Sequence, residues 1–133
     1  MRRIAKGMVA QGLDFEVVIS SPYVRAKQTA DIVVAELGIA QRLRISPALA
    51  SDGDPKKLVE ELHRHHRLRK SILLVGHEPY LSQLISTLIS GEANISIDLK
   101  KGGLCKLVTN GLRYGRCAML EWLIAPAQGK RIG

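Results

Sequence analysis

Apolar positions along the chain fall into short runs and helical repeats that follow one another in turn. Runs of strand length cover residues 15–20, 43–46 and 71–76, and the third of them is an unbroken apolar stretch. Between and behind these runs, apolar residues recur every three to four positions, as on the buried side of an amphipathic helix. A further helix is predicted at residues 2–11. The pattern therefore predicts strands that alternate with helices.

Turn signals indicate where these elements begin and end. Ser21-Pro22 and Asp54-Pro55 each place a preferred N-cap residue before a proline, so a helix is expected to begin at each of them, with Ser21 and Asp54 as the caps. Asn110-Gly111 predicts a hairpin between strands at 104–109 and 117–124. The chain is thus expected to finish on an antiparallel pair of strands.

This order of elements predicts the fold class. Strands that alternate with helices before a terminal hairpin are typical of an α/β fold, here a three-layer α/β/α domain with a mixed, mostly parallel sheet. The run at 71–76 shows no polar alternation, which is typical of a central parallel strand covered on both faces. Since no linker or repeat interrupts the chain, residues 1–133 are expected to form one domain.

Composition and charge narrow the function classes. Hydrophobic residues make up 46% of the 133 residues, and no apolar run approaches the roughly 18 residues of a membrane span. The basic first residues lack the features of a secretory signal peptide, and two cysteines exclude a disulfide framework, so a cytoplasmic protein without a membrane partner is expected. The net charge of +8 favours phosphorylated or polyanionic partners. Nucleic acid is the alternative on charge alone, but an aromatic share of 4% weakens a stacking platform for single strands.

Two strand-to-helix turns share features that suit an anion. Arg25 lies one turn into the helix after Ser21-Pro22, and His77 lies in the turn that precedes the helix after Pro79. Unpaired N–H groups and the dipole at a helix N-terminus favour negative charge, and ligands of open α/β sheets bind at the carboxyl ends of the strands. Because helical side chains lean towards the N-terminus, Arg25 can reach back over this edge. The sequence therefore predicts an anion site where Arg25 and His77 converge.

The same two turns carry a family resemblance. Residues 20–30 (SSPYVRAKQTA) and 74–79 (LVGHEP) resemble two of the three signature stretches of the histidine phosphatase superfamily. The small size, with no large insertion between the two stretches, is most similar to the SixA-type phosphohistidine phosphatases. The resemblance runs from about Ile4 to Pro126.

The resemblance implies a metal-independent phosphatase without a cofactor. In that family one histidine attacks phosphorus, and water then hydrolyses the phosphoenzyme. By position, Arg25 and His77 are the implied catalytic residues: Arg25 stabilises the phosphoryl oxygens in the transition state, and protonated His77 adds its charge. Ser21 and Glu78 are implied to bind phosphate together with them. The expected substrate is phosphohistidine on a phosphorelay protein, with a small phosphomonoester as the alternative.

One signature stretch is absent. Arg-His-Gly, which supplies the nucleophile in the family, does not occur in the 133 residues, and the most similar string is Arg64-His65-His66 within a predicted helix. We therefore expect a domain that is N-terminally incomplete, lacks the family's first strand and does not turn over substrate by itself. The alternative is a degenerate member that binds phosphate or phosphoproteins without catalysis.

Two further features allow alternative interpretations. His63 and His66, in the basic run 63–70, have a spacing that suits zinc, and the run suits nucleic acid. Without a third ligand at metal spacing, a solvated helix face is favoured, so neither a metal site nor a nucleic-acid partner is predicted. Cys105 and Cys117 flank the predicted hairpin turn and are placed to face each other across it, although reduced thiols are expected in a cytoplasmic chain.

Overall fold

A three-stranded parallel sheet is the framework of the protein. The structure, a computed structural model, describes residues 2–10, 12–99 and 104–124. In chain order, the helices and strands are α1 (Arg2–Ala10), β1 (Val17–Ser20), α2 (Val24–Leu37), β2 (Leu43–Ile45), α3 (Pro55–His66), β3 (Ile72–Val75), α4 (Tyr80–Ser90), β4 (Leu104–Thr109) and β5 (Ala118–Ile124). The predicted alternation of strands and helices is therefore confirmed.

The sheet has the order β2-β1-β3, and its strands are all parallel. Ser20 at the end of β1 stands opposite Ile45 of β2 and Val75 of β3, so the carboxyl ends of the three strands meet at one edge. β4 and β5 pair antiparallel as a separate two-stranded sheet. The predicted parallel sheet is confirmed, but among the described strands the hairpin does not complete a mixed sheet.

The position of β3 differs from the prediction. β1, all of whose residues are buried, is the middle strand, whereas β3 pairs with β1 alone among the described strands. The prediction that β3 is central is therefore wrong for this sheet. An unbroken apolar run indicates that both faces of a strand are covered, which β3 satisfies, but it carries no information about how many strands flank it.

Helices cover both faces of the sheet. Val17 and Ile19 of β1 pack with buried residues of α3 and α4, while Val18 points to the other face and packs with α2 and with Met8 of α1. The side chains of β3 divide in the same way, because successive residues of a strand point to opposite faces. The three predicted layers are present. The two apolar clusters between them hold the sheet, and with it the edge where its strands end, in place.

The helix starts are predicted correctly in one case and wrongly in the other. The carboxylate of Asp54 caps α3 by accepting a hydrogen bond from the Lys56 N–H at 2.9 Å, as predicted. α2, however, begins at Val24, so the prediction that Ser21 caps it is wrong by two residues. Ser21 instead extends the sheet edge, because its N–H donates to the Val75 carbonyl at 2.9 Å.

The hairpin forms at the predicted residues, and its register separates the two cysteines. Cys105 stands opposite Leu123, whereas Cys117 precedes the pair that Thr109 makes with Ala118. The alternative in which the two thiols face each other is therefore wrong, and both cysteines are free. Burial raises the pKa of the Cys105 thiol. Pro126, at the end of the family resemblance, lies outside the described residues. In the described part of the chain, no helix combines the length and apolar character needed to cross a membrane.

Candidate active site

Two of the predicted site residues meet where β1 and β3 end. The hydroxyl oxygen of Ser21 lies 2.7 Å from Nε2 of His77, a hydrogen bond between residues 56 positions apart in the chain. Ser21 is fully buried and His77 is half-buried. Because the parallel register places Ser20 opposite Val75, the residues that follow these strands are brought side by side. The sheet itself therefore holds this pair together.

The Ser21–His77 hydrogen bond determines which ring nitrogen can serve a ligand. The Ser21 oxygen also accepts a hydrogen bond from the Tyr23 N–H at 3.2 Å, and its own proton can be donated to Nε2 of His77. In that tautomer the neutral ring carries its proton on Nδ1, whereas a protonated ring carries one on each nitrogen and donates from Nε2 to Ser21. In the described part of the chain, Nδ1 of His77 has no hydrogen-bond partner. In both of these states His77 presents an N–H donor, which suits an anionic ligand.

Tyr23 and Asp52 adjoin this pair, and neither was predicted as a site residue. The rings of Tyr23 and His77 have centroids 5.1 Å apart and are tilted by 49°. The Tyr23 hydroxyl donates to Oδ1 of Asp52 at 3.1 Å. Tyr23 lies within the SSPYVRAKQTA stretch, between the predicted site residues Ser21 and Arg25, and this position could have indicated that it belongs to the site. Asp52 lies in the turn before α3, and only the tertiary fold brings it to this edge.

Arg25 is the second residue of α2 and adds a positive charge near this edge. Its side chain is exposed, and no described residue forms a hydrogen bond or ion pair with it. The first N–H of the helix with a carbonyl partner is that of Lys27, which donates to Tyr23 at 3.0 Å. The N–H groups before it are unpaired, as at any helix start without a side-chain cap. The convergence of Arg25 on His77 around an anion stays a prediction.

Glu78 is engaged with the start of α4. One carboxylate oxygen accepts a hydrogen bond from the Ser82 N–H at 2.7 Å, and the other accepts one from the Ser82 hydroxyl. This carboxylate supplies the negative charge that a helix N-terminus favours. An ionised carboxylate also repels phosphate, so capping is the role that these contacts support. The predicted binding of phosphate by Glu78 stays a prediction.

The basic run at the end of α3 lies apart from this edge, because α3 leads into the start of β3 rather than its end. His66 has a buried Nδ1 without a hydrogen-bond partner, and burial, reinforced by the nearby charge of Arg69, lowers the pKa of its imidazole below 6.5. Within the described residues, no group of three histidine, cysteine or acidic side chains is placed to hold a metal ion.

The hairpin carries a cavity of about 630 Å³ that contains none of the predicted site residues. Residues 108–111 and 116–119, together with Arg113, line it. Beside the candidate site, Tyr23 is 43% exposed and Val24 is 70% exposed.

No protein-family model matches the chain. An uncharacterised protein of Picosynechococcus is 32% identical over 114 residues, which cover 84% of this chain and 65% of that protein, so the chain spans less than two-thirds of this relative's length. Among solved structures, the protein histidine phosphatase SixA in complex with tungstate is similar with a TM-score of 0.78 and 23% identity, over 95% of this chain and 78% of that one. A protein assigned as phosphohistidine phosphatase SixA from Nakamurella multipartitia is similar with a TM-score of 0.70 and 20% identity, over 94% of this chain and 80% of that one. The chain therefore has the α/β fold of the SixA phosphohistidine phosphatases.

Proposed function

We propose that the edge formed by Ser21, Arg25 and His77 binds a phosphoryl group, and that the chain belongs to a phosphatase that removes this group from phosphohistidine on a protein. The observation that carries the proposal is the 2.7 Å hydrogen bond between Ser21 and His77 at the start of the helix that presents Arg25. The similarity to a SixA structure that contains tungstate supports it, because tungstate is a tetrahedral oxyanion like phosphate.

Each residue has a distinct role in this proposal. Arg25 supplies a guanidinium that binds two phosphoryl oxygens at once. His77 donates from Nδ1 while Ser21 holds Nε2, and the unpaired N–H groups at the start of α2 supply further donors. These groups stabilise the charge that phosphoryl oxygens carry during transfer. None of them is a nucleophile.

In the superfamily that the sequence resembles, the nucleophile of the phosphoenzyme is a histidine other than the one that corresponds to His77. The chain has four histidines, and the other three lie in α3. We therefore expect the 133 residues to bind the oxyanion without turnover, since they contain no Arg-His-Gly. This arrangement also favours the second candidate function, a module that binds phosphate or a phosphoprotein without catalysis.

The exposed side chains beside the site favour a phosphorylated protein as the substrate over a small phosphomonoester. Exposed Tyr23 and Val24 flank the site and leave room for a protein surface, and the net charge of +8 suits an acidic partner. A phosphohistidine also needs less acid catalysis than a phosphomonoester, because its leaving imidazole is already good. The cytoplasmic location stays a prediction.

Titration calorimetry with tungstate tests the proposed site on the 133-residue chain. We expect His77→Ala and Arg25→Ala each to weaken binding by about ten-fold or more, as for the loss of a hydrogen bond to a charged group. His63→Ala and Arg64→Ala are matched controls, since both residues are exposed in α3, and we expect little change from them.

Equal losses in Arg25→Ala and Arg64→Ala would show that only net charge attracts the anion, and the proposed site would be wrong. Absence of any tungstate binding by the unmodified chain would overturn the proposal as a whole. A protein phosphorylated on histidine supplies the second assay, in which we expect binding without hydrolysis. Hydrolysis by this chain would contradict the expectation that a further histidine is required.

A further inference from the structure

Tyr23 connects three other residues of the candidate site. Its ring contacts the ring of His77, its N–H donates to the Ser21 oxygen, and its hydroxyl donates to Asp52. The backbone of Tyr23 thus binds the residue that holds His77, and its side chain touches His77 directly. Tyr23 is itself 43% exposed, so its ring needs a further contact to stay in one place.

Asp52 lies on a turn that leaves it little freedom. The next residue, Gly53, donates its N–H to the Ala50 carbonyl at 2.7 Å. A side chain at Gly53 would collide with backbone atoms of Ala48 and Ala50, so the turn is tight against its own backbone. The buried Tyr80 fixes the same segment from the core, because its hydroxyl donates to the Ala48 carbonyl. The backbone that carries the exposed Asp52 carboxylate is therefore fixed against the core.

We propose that Tyr23, held in place by Asp52, is a positioning residue that fixes the orientation of the His77 ring. A ring held through one nitrogen keeps freedom to rotate about that hydrogen bond. Contact with Tyr23 on the ring restricts this rotation and directs Nδ1 towards one place at the edge. The benefit of this positioning rests on the proposed function, because an N–H donor that is already oriented binds a phosphoryl group more tightly than a mobile one.

Two substitutions of Tyr23 separate the ring from the hydroxyl. Tyr23→Phe keeps the ring and loses the hydrogen bond to Asp52, without a change of charge, and we expect tungstate binding to weaken about two- to ten-fold. Tyr23→Ala loses the ring as well, and we expect about ten-fold or more. Tyr114→Phe is the matched control, because Tyr114 is exposed on the hairpin.

The nitrogen chemical shifts of the His77 imidazole provide a readout independent of anion binding. In the unmodified chain we expect one set of shifts in which Nε2 is hydrogen-bonded. Tyr23→Phe and Asp52→Ala should shift these signals in the same direction, since both remove the same hydrogen bond, and the double variant should add nothing. Asp14→Ala is the charge control, because Asp14 pairs with Arg42 before the start of β1.

The outcomes separate this inference from the proposed function. If the unmodified chain does not bind tungstate, the proposed function is wrong, and the His77 signals still decide whether Tyr23 positions the ring. If tungstate binds but both Tyr23 variants match Tyr114→Phe in affinity and in His77 shifts, the positioning role is wrong. A response confined to Tyr23→Ala would show that the ring acts without Asp52 and would overturn that part of the proposal.

Discussion

Ser21→Ala tests most directly whether the hydrogen bond between the ends of β1 and β3 contributes to stability and to anion binding. The Ser21 hydroxyl takes part in two hydrogen bonds, one to His77 at 2.7 Å and one from the Tyr23 N–H at 3.2 Å. At about 1 kcal/mol net for each, their loss should lower the free energy of unfolding by roughly 2 kcal/mol. For a chain of this length that corresponds to a fall in Tm of roughly 5–10 °C.

Ser20→Ala is the matched control for this substitution. Ser20 is the preceding residue and is equally buried, but its hydroxyl donates to the Ser21 carbonyl at 2.8 Å and does not touch His77. We expect it to lower the free energy of unfolding by about 1 kcal/mol. Tungstate affinity should fall about ten-fold in Ser21→Ala and stay close to that of the unmodified chain in Ser20→Ala.

Thermal unfolding and titration calorimetry on the same preparations give both quantities. A similar loss of affinity in the two variants would show that tungstate binding responds to the stability of the strand end and not to the Ser21–His77 hydrogen bond. Unchanged affinity in Ser21→Ala would refute the reasoning outright, because Nε2 of His77 would then need no partner for the ring to bind an anion.

Three further substitutions test other parts of the structure. Glu78→Gln should weaken the cap on α4 and lower the free energy of unfolding in urea by about 0.5–1 kcal/mol. It should also tighten tungstate binding, because it removes a negative charge beside His77. Weaker tungstate binding would instead support Glu78 as a phosphate ligand. Burial lowers the pKa of His66 below 6.5, so the unfolded chain takes up the proton at a higher pH than the folded chain. The free energy of unfolding should therefore fall as the pH drops below 6.5, and it should fall less in His66→Gln. Urea midpoints that depend on pH equally in the unmodified chain and in His66→Gln would contradict this. Burial raises the pKa of Tyr80 to about 12, so the contribution of its protonated hydroxyl to stability should be lost as the pH rises from 10 towards 12. In an ultraviolet titration of the tyrosines, Tyr80→Phe should remove the last phenolate to form. An unchanged titration curve would show that another tyrosine titrates last.

The part of the site that lies on the sheet edge could be predicted from the sequence. Parallel strands place their carboxyl ends together, so residues that follow two neighbouring strands meet whatever their separation in the chain. Ser21 and His77 follow β1 and β3, which are neighbours in the sheet. The sequence predicted that the turns after these strands share one edge and that Arg25 and His77 converge there, whereas the contact that the structure shows is between Ser21 and His77.

Other features depend on contacts that no local pattern records. The start of α2 was misplaced because the Ser21 backbone continues the pairing of β1 with β3, while its hydroxyl oxygen pairs with the Tyr23 N–H and with His77 and not with an N–H inside the helix. Tertiary contacts commonly override a local preference of this kind. Asp52 was missed because its carboxylate reaches Tyr23 only when the turn before α3 is held against the core.

The candidate site thus consists of a fixed part and a free part, and this difference bears on how tightly it binds. Ser21 and His77 are held by the register of the sheet, so in the proposed site they are oriented before an anion binds. Arg25 is exposed and has no partner among the described residues, so binding must order its side chain at a cost of about 0.5–1.5 kcal/mol. In the proposed function that cost is offset by a ligand with two oxygens for the guanidinium, which a phosphoryl group presents and a chloride ion does not. We therefore expect Arg25 to favour oxyanions over halide ions, with the Ser21–His77 pair fixing the proposed site at the sheet edge.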